Sequence, residues 1–101
     1  KHERTLMASN IIREVQVTSP GTSCEHVHAV RFKAGDEAQL RGATREEVHR
    51  WINEGYAFAT YNSTTGASAP VAARTNARGV RYIATVANGR ESDNLLHLPR
   101  F

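Results

Sequence analysis

A chain of 101 residues, 40% hydrophobic and 23% charged, has room for one domain with one core and is not a disordered segment. Its net charge of +3 comes from 13 basic residues, eleven of them Arg, against 10 acidic ones, an excess too small for a polybasic arm. No apolar run is long enough to span a membrane, "KHERTLMASN" lacks the apolar stretch of a signal peptide, and a lone Cys24 cannot close an internal disulfide, so a reducing, cytoplasmic setting is expected.

Residues 1–9 read as an N-terminal tail. "MAS" at Met7 to Ser9 has the pattern of a natural start, which would make residues 1–6 an upstream extension, an expression remnant or a product of processing. Residues 10–101 then form a single domain. "NIIREVQV" alternates as a strand does, with Ile11, Val15 and Val17 on one face and Ile12, Glu14 and Gln16 on the other. A loop with Pro20 and Gly21 follows. "EHVHAVRFKAG" predicts a second strand, placing His26, His28, Val30 and Phe32 on one face and Val27, Ala29 and Arg31 on the other, with Gly35 and Asp36 closing it.

"TREEVHRWINEGY" is the clearest local signal. Thr44 and Glu47 have the spacing of a capping box, and Glu46 and Glu47 put negative charge in the first turn, where the helix dipole favours it. Val48, Trp51 and Ile52 form an apolar stripe, and Gly55 suits the residue after the helix. The pattern predicts a helix over Arg45–Glu54. "YAFATY" is the next strand and "NSTTGASA" a loop. "PVAART" is expected to be a short edge strand, because Pro70 cannot donate to a ladder. "NARG" turns the chain into "VRYIATV". Asn88-Gly89 is a hairpin signal that should fold "GRES" back beside "ATVA". Ser92 or Asp93 is then placed to cap one helical turn, which drops Leu95 and Leu96 into the core beside Trp51. The sum is an α+β domain: a small antiparallel sheet of about five strands in the order β-β-α-β-β-β, with one short helix (residues 45–54) on one face and the other face uncovered.

Cys24, His26 and His28 stand two apart, and in an extended strand all three would point one way. They are weak metal candidates only, because structural zinc needs four ligands. Cys24 with a nearby His is also the minimum for a thiol nucleophile, but no oxyanion-hole signal accompanies it. The carboxylates are explained by capping and solubility, and "NSTTGAS" is not followed by the Lys of a phosphate-binding loop. Arg and Tyr make the remaining candidate surface: Arg41, Arg45, Arg74, Arg81, Arg100 and Tyr61 combine phosphate-pairing and base-stacking side chains.

"TREEVHRWINEGYAFATY" and "SDNLLHLPRF", joined by "RYIATVANGRE", resemble a bacterial family of small proteins catalogued as domain of unknown function three-eight-nine-two. The shared features are a "TREEV-x-x-W-I-x-x-G" helix, a terminal "DNLL-x-LP" and an early His-Val at His26-Val27 or His28, spanning about His26 to Pro99. The resemblance implies one domain and brings no established activity with it, so no residue inherits a catalytic role. The residues themselves suggest a non-enzymatic binding or assembly module acting through protein–protein contacts, self-association included, without cofactor or membrane. The alternative is an RNA- or DNA-binding domain using Arg and Tyr; a metal- or thiol-dependent enzyme is more remote.

Overall fold

The computed structural model describes residues 10–35, 39–87 and 89–101. Seven strands, β1 (Asn10–Val17), β2 (Val27–Ala34), β3 (Arg41–Thr44), β4 (Phe58–Tyr61), β5 (Ser68–Thr75), β6 (Arg81–Ala87) and β7 (Arg90–Ser92), surround one helix, α1 (Arg45–Asn53). Short 3-10 turns occupy Cys24–His26 and Asn94–His97. The α+β class expected from sequence is found, but with seven strands in place of five. Residues 1–9, the loop acids Asp36 and Glu37, and Asn88 of the expected hairpin lie outside the described residues.

The strand order is β3-β2-β1-β4-β5-β6-β7, and the sheet is mixed rather than antiparallel. β1 pairs with β4 in parallel over Asn10–Ile12 and Phe58–Thr60. Parallel neighbours need a long crossover, which β2, β3 and α1 provide. Sequence gave no sign of β3: its four residues include Gly42, and only Ala43 is buried.

β1 carries one extra residue, Arg13, against β2: Ile12 pairs with Phe32, and Glu14 with Arg31. Such a bulge resets the two-residue period. Ile12 and Val15 therefore both enter the core, and the expected split of β1 into an Ile11/Val15 face and an Ile12 face is corrected. His28 is the matching extra residue in β2, where Val17 pairs with Val27 and Gln16 with Ala29. Val27 and Val30 are thus both buried while His28 is exposed, so Val30 and Phe32 share the buried face as expected but the histidines do not join it.

β5 lies inside the sheet, not at its edge. Ser68–Pro70 pairs with β4 and Val71–Thr75 with β6. Pro70 stands where the strand passes from one ladder to the other, so its missing N–H breaks neither. Four successive residues of β6, Tyr82 to Thr85, are buried. Both its faces are covered, since β6 contacts α1 and both 3-10 turns.

The helix forms as its sequence dictates. The Thr44 hydroxyl accepts from the Glu47 amide, and the Glu47 carboxylate accepts from the Thr44 amide at 2.9 Å. Gly55 terminates it at φ 107°, a conformation that side chains resist. Val48 is fully buried, and Trp51 and Ile52 pack against the core.

The "LLHLPRF" segment closes the molecule. Asp93 stands at the start of the second 3-10 turn, but its side chain makes no cap; the carboxylate pairs with His97 at 3.2 Å instead. Leu95 and Leu98 are the buried leucines, while Leu96 is only partly covered. Beyond the turn, the Val15 amide donates to Pro99 O (3.0 Å) and the Phe101 amide to Val15 O (3.1 Å). The segment lies alongside β1 where β4 no longer pairs with it, a parallel bridge joining Val15 and Arg100.

Candidate functional site

The Cys24/His26/His28 grouping is dismantled by the fold. Cys24 and His26 sit on a 3-10 turn rather than a strand. Cys24 is buried, its thiol points at Ser92 O (3.5 Å), and burial pushes its pKa up, which disfavours the thiolate that nucleophiles and metal ligands require. His26 Nδ1 accepts from the Thr22 and Ser23 amides at 3.0 and 3.2 Å, so that ring closes the loop. His28 Nε2 bonds Gln16 Oε1 at 2.9 Å on the surface. Among the described residues, no group of three or more His, Cys, Asp or Glu could hold a metal ion.

The Arg and Tyr candidates scatter over different elements. Arg45 Nη1 donates to Glu25 O at 2.6 Å and its Nε meets Glu46 at 3.2 Å, tying the start of α1 to the first 3-10 turn. Arg74 Nε stands 3.8 Å from Glu91 Oε2, beyond hydrogen-bond reach. Arg81 is exposed at the start of β6. Tyr61 on β4 lies beneath Arg13, whose guanidinium is 5.2 Å from the ring centroid. Arg100 donates to Leu96 O at 2.9 Å, bracing the last turn. Arg41 opens β3 and lines a pocket at the C-terminal end of α1.

Two of the surface hollows bear on function. The larger, about 490 Å³, lies between the β4–β5 loop and the second 3-10 turn, with Thr60, Asn62, Thr64, Thr65, Asn94 and His97 on its walls and Leu98 and Pro99 below. Several of its polar groups are already committed. Asn62 Oδ1 accepts from the Thr64 and Thr65 amides, and Asn62 Nδ2 donates to His97 O at 2.9 Å. Thr65 Oγ1 accepts from the Ala67 amide, and Thr60 Oγ1 donates to Ala69 O. These bonds fasten the loop to the closing turn, and they fill the amide cradle that an anion would need. His97 and Asp93 are each about two-thirds exposed (66% and 68%), so water surrounds that contact.

The smaller pocket, about 260 Å³, is built from rings. Trp51 and Phe58 are nearly parallel, 4° apart with centroids at 6.1 Å, and Phe32 meets them edge-on at 6.1 and 5.3 Å. Tyr56, at 42% exposure, stands on the rim with Arg41, Glu54 and Asn10. Each wall has a local cause. The α1 stripe supplies Trp51, the turn after Gly55 presents Tyr56, and β2 and β4 supply Phe32 and Phe58. Asn10 Nδ2 donates to Ala57 O at 3.0 Å, which holds the chain between Tyr56 and Phe58 against β1. The helix stripe was visible in sequence; the convergence of Phe32, Phe58 and Arg41 on it depends on the β1–β4 pairing, which no local pattern encodes.

His49, which could have joined Cys24 and the two histidines only if the fold brought it there, has a structural part instead. It is buried on α1, donates from Nε2 to Arg74 O (3.1 Å) and accepts at Nδ1 from Asn53 (3.3 Å). Both ring nitrogens are satisfied in one neutral tautomer, so the ring joins helix to sheet and is not displayed to a ligand. The four-residue spacing of His49 and Asn53 was its one sequence signal.

No curated protein and no solved structure matches the chain. One family does, over a span that begins earlier than the His26 at which the resemblance starts and that takes in both the pocket-lining helix and the closing "DNLLHLP". The chain belongs to the family described as protein of unknown function (DUF3892), which matches residues 11–99.

Proposed function

We propose that this protein is a non-catalytic binding module that takes an apolar or aromatic side chain of a protein partner into the pocket formed by Phe32, Trp51, Tyr56 and Phe58. The observation that carries the reading is the rim of that pocket. Trp, Tyr and Arg are the residues most enriched at the energetic centres of protein interfaces, and Trp51, Tyr56 and Arg41 meet here. Size points the same way. A volume of about 260 Å³ falls below the range usual for metabolite pockets, roughly 300–1,000 Å³, and suits one anchoring side chain. Among the described residues β3 stands at one end of the strand order, so backbone pairing with a partner strand can accompany the anchor.

The test uses the single tryptophan of the chain as its own reporter. Peptides selected from a random display library against the whole protein should share an apolar or aromatic anchor and shift Trp51 emission on titration. Tyr56→Ala should weaken them by about tenfold or more, as expected for loss of an interface hot spot. A selection that yields no such peptide, together with Trp51 emission that is unmoved by protein concentration, would remove both the partner reading and self-association through this pocket.

A further inference from the structure

A second grouping lies on the opposite side of β2, β1 and β4, away from α1. The extra residue in β1 turns Arg13 and Glu14 outward together between the buried Ile12 and Val15. Arg31 on β2 meets Glu14 at 3.3 Å. Lys33, two residues further along β2, shares a shallow hollow with Arg13 and Glu14. Two aromatic rings complete the face. The Arg13 guanidinium lies over Tyr61 at 5.2 Å, and the Arg31 guanidinium lies over Phe101 at 4.1 Å. Charge is segregated as well. Among the described acidic residues, Glu14 alone belongs to these three strands; the others lie on α1 and its cap, on the first 3-10 turn, or on β7 and the residue after it.

We propose that this face binds single-stranded nucleic acid. Arg13, Arg31 and Lys33 hold phosphates, and bases stack on the Arg–Tyr and Arg–Phe pairs. Sheet surfaces that carry rings and guanidinium planes receive unpaired bases this way, because every base has a π face. Among the described residues, three cations against one carboxylate favour a polyanion, although the whole chain carries only +3. Among the described residues no helix projects from this face to enter a major groove, which favours single strands over duplex. The aromatic pocket is at the helix side of the same sheet, so this inference stands or falls independently of it.

The probe is a fluorescein-labelled oligouridylate, titrated with the full chain at low salt and followed by anisotropy. Three phosphate contacts predict that log affinity falls against log salt with a slope of about −2, from roughly −0.7 per contact for single strands. The double variant Arg13→Gln/Arg31→Gln should bring that slope to about −0.7, and Tyr61→Ala should weaken binding about five- to hundredfold. Arg81→Gln, an equal loss of charge on β6, should change nothing. Thermal melts identify any variant that fails to fold, and Arg13→Lys, which keeps charge but loses the planar stack, then serves in its place with an intermediate loss. Absence of binding at low salt, a duplex bound as tightly as the single strand, or an Arg81→Gln loss equal to that of the double variant would overturn the proposal.

Discussion

Tyr82 shows how much single polar contacts matter in a domain this small. Its ring is buried on β6, and its hydroxyl donates to Glu91 Oε2 at 2.8 Å, linking β6 to β7. Burial first, and then the bond to the carboxylate, raise its pKa from 10.0 to about 12. A folded pKa above the unfolded one gives stability that is complete below pH 10 and is lost as pH rises through about 12. Tyr82→Phe should therefore cost about 1.5–3 kcal/mol at neutral pH, the range for a hydrogen bond to a charged group. The gap between variant and parent should close between pH 10 and 12, which thermal melts across that window would measure. A constant gap would mean that Tyr82 ionises alike in both states. Neighbouring contacts tie the same half of the molecule together. Cys24 is buried, and Glu25 Oε1 accepts from Asn76 Nδ2 at 3.1 Å, joining the first 3-10 turn to the β5–β6 turn.

Among elements, the closing segment and the helix were legible from sequence to very different depths. Helix α1 was legible almost to the residue, because its determinants are local: Thr44 and Glu47 cap each other, and Gly55 ends it. The core role of "LLHL" was legible too, but not which leucines serve it. A 3-10 turn advances differently from an α-helix, so Leu95 and Leu98, three apart, point inward, and Leu96 lies at the margin. Leu95→Ala should cost about 2–5 kcal/mol, whereas Leu96→Ala should cost clearly less. Urea unfolding of the two variants checks this, and equal losses would contradict the assigned packing. The bulges at Arg13 and His28 and the passage of β5 between two ladders at Pro70 were not legible. They depend on which strand lies alongside, and strand partners are distant in sequence.

At the scale of the whole molecule, the mixed sheet decides where function can reside. Parallel pairing of β1 with β4 brings Phe58 beside Phe32 and beneath Trp51, and so creates the ring-lined pocket at the end of α1. The same pairing sets Tyr61 beside Arg13 on the far side of the sheet. Both candidate surfaces are therefore products of topology, and this is why the candidates chosen from residue type scattered: only Arg41 and Tyr61 fall on them. At the larger cavity, the bond from Asn62 Nδ2 to His97 O ties the β4–β5 loop to the closing turn. The account makes the pocket the binding site, and nuclear magnetic resonance shift mapping tests this most directly. With a peptide selected as above, the largest changes should fall on the Trp51 indole N–H and the amides of Asn10, Arg41 and Tyr56. If they fall instead on Thr60 to Ala67 and Asn94 to Leu98, the larger cavity is the site and the account is wrong.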